Sequence, residues 1–270
     1  MSAHDTVFGD AISRIYESHL VPLIFEPYAA LTARRLSRFP ATRVLEIAAG
    51  TGAVTRAMAA RLPASVSITA TDLNPAMLDQ AARTGTARPV EWRQANAMSL
   101  PFADETFDAV VCQFGAMFFP DKRAAFAETR RVLRDGGVFL FSVWDRIEEN
   151  EFADVVTTSV GTMFPDDPPR FLARTPHGYC DCASISREIA AAGFAGSIEI
   201  ETVALRSIAN SPRDPAVAYC EGTPMRNEIE ARDSSALTEA TALAASAIRE
   251  RFGPGRVDGK IQAHVVTVAS

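Results

Sequence analysis

Two acids and a run of small residues carry the most chemistry in this chain. Glu46-Ile-Ala-Ala-Gly50-Thr-Gly52 closes a short apolar segment, Arg43–Ile47, and opens a run of helix formers, Ala53–Leu62. Small residues in such a turn let a ligand approach the backbone, and the following helix start offers free N–H groups. Asp72 lies 20 residues after Gly52, at the end of the alternating segment Val66–Thr71. A carboxylate there can accept two hydrogen bonds from a ribose. It can also cap the helix that follows, and the two roles can coincide. The plain alternative for the turn is tight packing with no ligand at all.

The turn fits two cofactor classes, a dinucleotide or S-adenosylmethionine. The dinucleotide fingerprint wants G-x-G-x-x-G/A. Ala48-x-Gly50-x-x-Ala53 lacks the first glycine, and Gly50-x-Gly52-x-x-Thr55 lacks the third. Glu46, two residues before the turn, would repel a pyrophosphate but meet an ammonium group. A dehydrogenase of the Tyr-x-x-x-Lys type is disfavoured too. Lys122 and Lys260 are the only lysines, and none stands four residues after Tyr16, Tyr28, Tyr179 or Tyr219.

The elements that must position these residues follow a regular alternation. Strands are expected at 43–47, 66–71, 90–94, 107–113 and 138–144, with helices at 53–62, 76–83 and 122–133. The third helix is expected to end in a glycine cap at Arg134-Asp-Gly-Gly137. Phe107–Gln113 is nearly all apolar, as a strand covered on both faces should be. The β-α-β rhythm gives a doubly wound α/β sheet. Residues 7–38 read as two helices broken by Pro22 and Pro27. Beyond Asp145 we expect a helix at 151–163, a proline-rich loop at 165–176, a helix at 183–192 and a strand at 197–205. Residues 207–256 read as helical, with breaks at Pro212, Pro215, Pro224 and Pro254, and a last strand spans 260–269.

Composition narrows the class further. The chain has 270 residues, 47% hydrophobic and 22% charged, which is ordinary for a globular protein. Basic residues number 27 and acidic ones 33, a net charge of −6. That balance disfavours nucleic acid and anionic membranes as partners. The longest apolar stretches, 109–112 and 136–143, fall far short of the ~20 residues of a membrane span. The start of the chain carries no signal-peptide pattern. Cys112, Cys180, Cys182 and Cys220 lack zinc spacing, and we expect no metal. They read as reduced thiols of a cytoplasmic protein, with Cys180 and Cys182 as an alternative redox pair.

Here a family resemblance appears. Val44-Leu-Glu-Ile-Ala-Ala-Gly-Thr-Gly52 resembles the first motif of class I S-adenosylmethionine-dependent methyltransferases, and Ala70-Thr-Asp-Leu-Asn-Pro-Ala-Met-Leu78 their second. Gln94–Phe102 and Phe107–Phe114 resemble the adenine segment and fourth strand, and Arg130–Gly137 the loop before strand five. The branch it looks like is methyltransferase type 11, with the ubiquinone and menaquinone C-methyltransferases. Two positions depart from the pattern: Ala48 replaces the first glycine, and Asn96 replaces a common acid.

The resemblance implies a Rossmann-like, mostly parallel seven-stranded sheet with its last strand antiparallel. It implies an N-terminal helical lid at 1–40, a core at 41–206 and 257–270, and a helical cap insertion at 207–256. It implies S-adenosylmethionine as cofactor and methyl transfer to a small apolar or aromatic metabolite by in-line displacement. Glu46, Ala48, Gly50 and Gly52 would cradle the methionine part and Asp72 the ribose. Leu73 and Met77 would pack on the adenine face, Asn96 and Ala97 on its edge, and Gln113 at the amino-acid end. Tyr16 and Tyr28 could close over the donor; for both, and for Leu73 and Met77, plain packing is the alternative.

Candidate bases are few among His4, His19, His177 and His264. His177 and Tyr179 share the loop Thr175-Pro-His-Gly-Tyr179, where active-site residues often sit, and are the catalytic candidates. Phe114, Met117, Phe118, Phe119, Phe164 and Phe171 suggest an apolar acceptor. A monomer or homodimer is expected. A donor-binding regulatory protein without turnover, and more remotely an NAD-dependent oxidoreductase, are the competing readings.

Overall fold

The computed structural model describes residues 10–270. The expected helical residues 7–9 and His4 lie outside them. The first helix, α1 (Asp10–Ile15), continues without a break through a π-helical stretch, Tyr16–Phe25, into α2 (Glu26–Leu36). The expected breaks at Pro22 and Pro27 do not occur. Proline in an α-helix clashes with the carbonyl four residues back. The wider i→i+5 turn around Pro22 relieves that clash. Pro27 falls in the first turn of α2.

The sheet order is β3-β2-β1-β4-β5-β7-β6. Its strands are β1 (Arg43–Ile47), β2 (Ser67–Asp72), β3 (Glu91–Gln94), β4 (Phe107–Gln113), β5 (Leu133–Trp144), β6 (Ile198–Ala209) and β7 (Val257–Ala269). Strands β3, β2, β1, β4 and β5 pair in parallel, and the last strand runs antiparallel. The order reverses between β1 and β4, and such a switch point opens a crevice at the strands' carboxyl ends. Helices α3 (Ala53–Arg61), α4 (Pro75–Thr84) and α5 (Lys122–Val132) make the connections.

The expected glycine cap after α5 is corrected. Leu133 already has extended backbone angles and pairs with Phe107, and the register then shifts to Ala109 opposite Val138. Gly136, at φ 76°, serves that irregularity and not a helix end. A Cβ on Gly137 would come within 2.9 Å of the Arg134 carbonyl oxygen.

The later helices are α6 (Glu151–Gly161), α7 (Phe171–Arg174), α8 (Cys182–Ala191), α9 (Arg213–Glu221), α10 (Met225–Arg232) and α11 (Leu237–Phe252). The expected loop at 165–176 holds the short α7, because Phe171 and Leu172 are buried there. Pro215 does not break the chain; it sits in the first turn of α9, where a missing N–H costs least.

The described chain forms two compact units. One comprises residues up to Pro27, Trp144–Gly178 and Ala204–Gln262; the other comprises Tyr28–Val143, Tyr179–Val203 and Ala263–Ser270. These are units of packing, and the expected division into 1–40, 41–206 with 257–270, and 207–256 is a separate reading of the chain. Ala29, Ala33 and Leu36 of α2 pack with Val54 and Met58 of α3 and with Val44, Val111 and Leu140 of the sheet. In the other unit α6 packs against α9 and α11, and α9 against the π-helical stretch. Among the described residues no helix is long and apolar enough to cross a membrane.

Candidate functional site

The turn after β1 is built from left-handed backbone. Ala48, Gly50 and Gly52 have φ of 54°, 56° and 85°. Glycine adopts these angles freely; alanine does so at a cost of about 1 kcal/mol. Ala48 keeps its Cβ because another glycine makes the room. Gly115 follows β4, and a Cβ placed there would lie 2.4 Å from the Ala48 Cβ and 2.9 Å from Cys112 Sγ. The glycine missing from the turn has in effect moved across the switch point. Gly52 is crowded by Trp92 of β3, whose ring would lie 2.8 Å from an added Cβ.

Backbone bonds fix the turn to β2. The Ala49 N–H donates to the Thr71 carbonyl at 2.9 Å, and Gly52 N–H to that of Ala49 at 2.9 Å. The Thr71 hydroxyl donates to the Glu46 carbonyl at 2.9 Å. The Glu46 side chain is 1% exposed, and its Oε2 accepts from the Thr55 hydroxyl at 2.5 Å. Burial, against the Thr55 bond and helped by the nearby Asp72 charge, pushes its pKa up to about 8. Its Oε1 has no hydrogen-bond partner among the described residues. Thr51 Oγ1, in the same turn, is buried and has none either.

Asp72 uses both oxygens. Oδ2 accepts from Gly50 N–H and Oδ1 from Asn74 N–H, each at 2.8 Å. Burial raises its pKa against those bonds. Each carboxylate oxygen has two acceptor positions, so two remain for a pair of vicinal hydroxyls. The cap of α4 is Asn74 and not Asp72: Asn74 Oδ1 accepts from Ala76 N–H at 3.0 Å. Ala95 N–H donates to the Asp72 carbonyl at 3.0 Å, tying the next loop to the same strand end. In that loop Asn96 is exposed and its Oδ1 accepts from Met98 N–H at 3.0 Å. Its amide N–H groups have no partner among the described residues and are offered outward.

Known proteins carry the same pattern. Residues 45–141 match the methyltransferase domain family. A demethylmenaquinone methyltransferase of Corynebacterium urealyticum is 30% identical over 197 residues, 68% of this chain and 83% of that one. The chain belongs to the class I S-adenosylmethionine-dependent methyltransferases. An uncharacterized protein of Mycobacterium tuberculosis is 39% identical over 110 residues, and the match spans only 38% of its length. Among solved structures, the YcgJ protein from Bacillus subtilis superposes with a TM-score of 0.58 at 19% identity. That match covers 90% of this chain and 98% of the other, and it bears on fold alone.

S-adenosylmethionine is the cofactor of this methyltransferase family, and the residues present fit it. The lone Oε1 of Glu46 lacks the donor that an ammonium would supply. The two open acceptor positions of Asp72 suit a ribose diol. Leu73, next in the chain, is 57% exposed, an unusual position for so large an apolar side chain. It offers a surface to a flat ring, while Met77 is 4% exposed and supports the helix from within. Ala97 is half-buried beside Asn96. Gln113 ends β4, and its Oε1 accepts from the Thr32 hydroxyl of α2 at 3.0 Å.

Tyr28 is wholly buried, its hydroxyl donating to the Val203 carbonyl at 2.8 Å and its ring edge meeting Phe114. In this conformation its ring lies inside the protein. Tyr16 and His177 belong to the other compact unit. Tyr16 stacks on Phe25 with centroids 5.0 Å apart. His177 Nδ1 lies 2.7 Å from the Asp145 carbonyl oxygen, and burial lowers its pKa to about 4. A general base works best with a pKa near the operating pH, so His177 is a weak base in neutral solution. Tyr179 donates to Glu188, carries Lys122 Nζ 4.7 Å over its ring, and has its pKa raised by burial.

Sequence reading missed Thr55, Thr71, Trp92 and Gly115. Thr55 alone had a readable signal, since it opens the helix that Glu46 faces. The others depend on which strands neighbour β1 and in what register.

Proposed function

We propose that this methyltransferase moves a methyl group from S-adenosylmethionine to a small apolar or aromatic metabolite by in-line displacement. The observation that carries this reading is the left-handed turn Ala48–Gly52 at the switch point, with the lone Glu46 Oε1 below it and Asp72 beside it. When bound, S-adenosylmethionine supplies a methyl group already activated by its sulfonium charge. The chain's task is then placement more than acid–base chemistry. Glu46 holds the ammonium end, Ala48, Gly50 and Gly52 let the methionine part lie on the backbone, and Gln113 borders that end. Asp72 accepts from the ribose, Leu73 covers the adenine face with Met77 behind it, and Asn96 with Ala97 meets the adenine edge.

The small acceptor is supported by the net charge of −6 and by the phenylalanines after β4. The name of the Corynebacterium relative points toward quinone-like rings. Tyr179, locked to Glu188 and Lys122, serves best as a positioning group. The test is calorimetric titration with S-adenosylmethionine, S-adenosylhomocysteine and NAD. Binding of the first two and none of the third is expected, followed by methyl transfer to aromatic acceptors from radiolabelled donor. NAD binding alone would overturn the reading. Donor binding with no transfer to any acceptor class would favour a regulatory role.

A further inference from the structure

Two acids stand on the same face of neighbouring strands. Glu46 of β1 pairs in register with Ala70 of β2. Asp72 lies two residues further along β2, which in a strand is the same face. The Asp72 charge opposes ionisation of Glu46. Glu46 is buried and Asp72 half-buried, so water does little to screen the pair. Like charges placed this way settle by keeping a proton on one member.

Geometry decides which acid keeps it. Asp72 accepts from two backbone N–H groups, those of Gly50 and Asn74. An N–H can only donate, so both bonds favour the ionised form. Glu46 meets a single hydroxyl, that of Thr55 at 2.5 Å. A hydroxyl turns between donor and acceptor, so this contact survives protonation. The neighbouring elements do not replace the proton. Arg56 of α3 has the smallest influence on Glu46, and its guanidinium donates to the Thr51 carbonyl at 2.7 Å. Cys112 of β4 is a neutral thiol, its pKa pushed up to about 12 by burial. Helix α2 brings Ala29, Ala33 and Leu36 to the same core. Burial then sets the Glu46 pKa at about 8, and the ligand-free protein carries this side chain neutral near pH 7.

We infer that docking of the donor's ammonium group drives the Glu46 proton into solvent, so that donor binding and release of one proton are a single coupled event. Resting on the proposed S-adenosylmethionine site, the step is a plain ionisation. The carboxyl O–H bond breaks, its electron pair stays on the carboxylate that meets the ammonium, and the proton passes to buffer. A neutral Glu46 would leave the enclosed ammonium uncompensated, which is costly. Donor affinity therefore climbs with pH as long as the free protein holds the proton. The site loads less readily in acid.

The test is calorimetric titration of the full chain with S-adenosylhomocysteine, which keeps the ammonium, in phosphate, MOPS and imidazole at pH 7. These buffers differ in ionisation enthalpy, and the slope of binding enthalpy against it counts the protons released. About 0.9 proton per ligand is expected, the neutral fraction at pH 7 of an acid that titrates near pH 8. Affinity should rise roughly tenfold from pH 6 to pH 7. Glu46→Gln should release no proton and show no such rise. In the unaltered protein 5′-methylthioadenosine, which lacks the amino-acid end, should release none. Binding of S-adenosylhomocysteine without proton release would overturn the inference and leave the cofactor site standing. Release that persists in Glu46→Gln, or that methylthioadenosine matches, would put the proton on another group and overturn it as well. If Glu46→Gln does not fold, the methylthioadenosine comparison still decides. Failure of S-adenosylhomocysteine to bind at either pH would overturn the cofactor site and the inference together.

Discussion

The turn after β1 and the rings of the helical unit are held together in different ways. Around the turn, backbone N–H groups meet both oxygens of Asp72, and a hydroxyl meets one oxygen of Glu46. Among the described residues Thr51 Oγ1 is buried there without a partner, and Glu46 Oε1 accepts no hydrogen bond. In the helical unit the contacts are between rings: Tyr16 stacks on Phe25 at 5.0 Å, Phe25 lies 6.2 Å from Trp144, and Trp144 lies 6.0 Å from His177. A site held by its own backbone is preformed and tolerates one ligand chemistry. Packing between rings is less directional than a set of backbone hydrogen bonds.

The largest expected effect breaks the preformed side at Glu46. Its folded pKa of about 8 stands above the ordinary 4.5. The unfolded chain loses this proton near pH 4.5, while the folded protein holds it to about pH 8. Stability of the ligand-free protein should therefore fall as pH rises through that window, by on the order of 4 kcal/mol. Glu46→Gln should flatten the dependence and be the more stable form at pH 9. Urea unfolding from pH 5 to 9 measures this, and parallel curves for the two proteins would show that Glu46 is ionised when folded.

Next in size is the exchange of glycine between positions 48 and 115. Gly115→Ala drives a methyl group against Ala48, and overpacking of that kind costs about 1–3 kcal/mol. Ala48→Gly by itself relieves a left-handed alanine and should be neutral or stabilising by up to ~1 kcal/mol. The double variant should recover part of the loss, because it removes the 2.4 Å approach to Ala48 Cβ and keeps the 2.9 Å approach to Cys112 Sγ. A thermal-melt double-mutant cycle reads the coupling. Additive effects would mean that the two turns are not in contact.

These pairs mark what the residues reveal in order and what they conceal. The parallel strands and the turn at 48–52 were legible, because short apolar runs punctuated by small residues and prolines are local signals. The partner of Ala48 was not, since Gly115 meets it only through the β1–β4 pairing. The π-helical stretch was misread as two helices, because Pro22 is a breaker only while the α ladder is assumed. The strand start at Leu133 was hidden behind glycines that resemble a cap but serve a register shift. His177 stood out as a loop histidine, yet its proton position follows from a carbonyl 32 residues away in the chain.

Asp72→Ala should weaken S-adenosylmethionine binding by about 1–3 kcal/mol, the range for bonds to a charged acceptor and for the N–H groups left behind. Asp72→Asn retains one acceptor oxygen, and its loss should fall between those of the alanine variant and the unaltered protein. Calorimetry gives both values, and unchanged affinity in a folded Asp72→Ala protein would remove Asp72 from the ribose role.

The smallest effect separates the sheet core from the donor site. The Tyr28 hydroxyl bonds the Val203 carbonyl at 2.8 Å inside a fully enclosed environment. Tyr28→Phe keeps the ring and its edge contact with Phe114 while leaving that carbonyl without this donor. A single such bond is worth about 1 kcal/mol. Urea unfolding should therefore show a loss near that size, while S-adenosylmethionine affinity stays the same. The reverse pattern, full stability with weakened donor binding, would mean that Tyr28 swings out of the core to meet the ligand. The N-terminal helix would then take part in closing the donor site, and the preformed character claimed for that site would be lost.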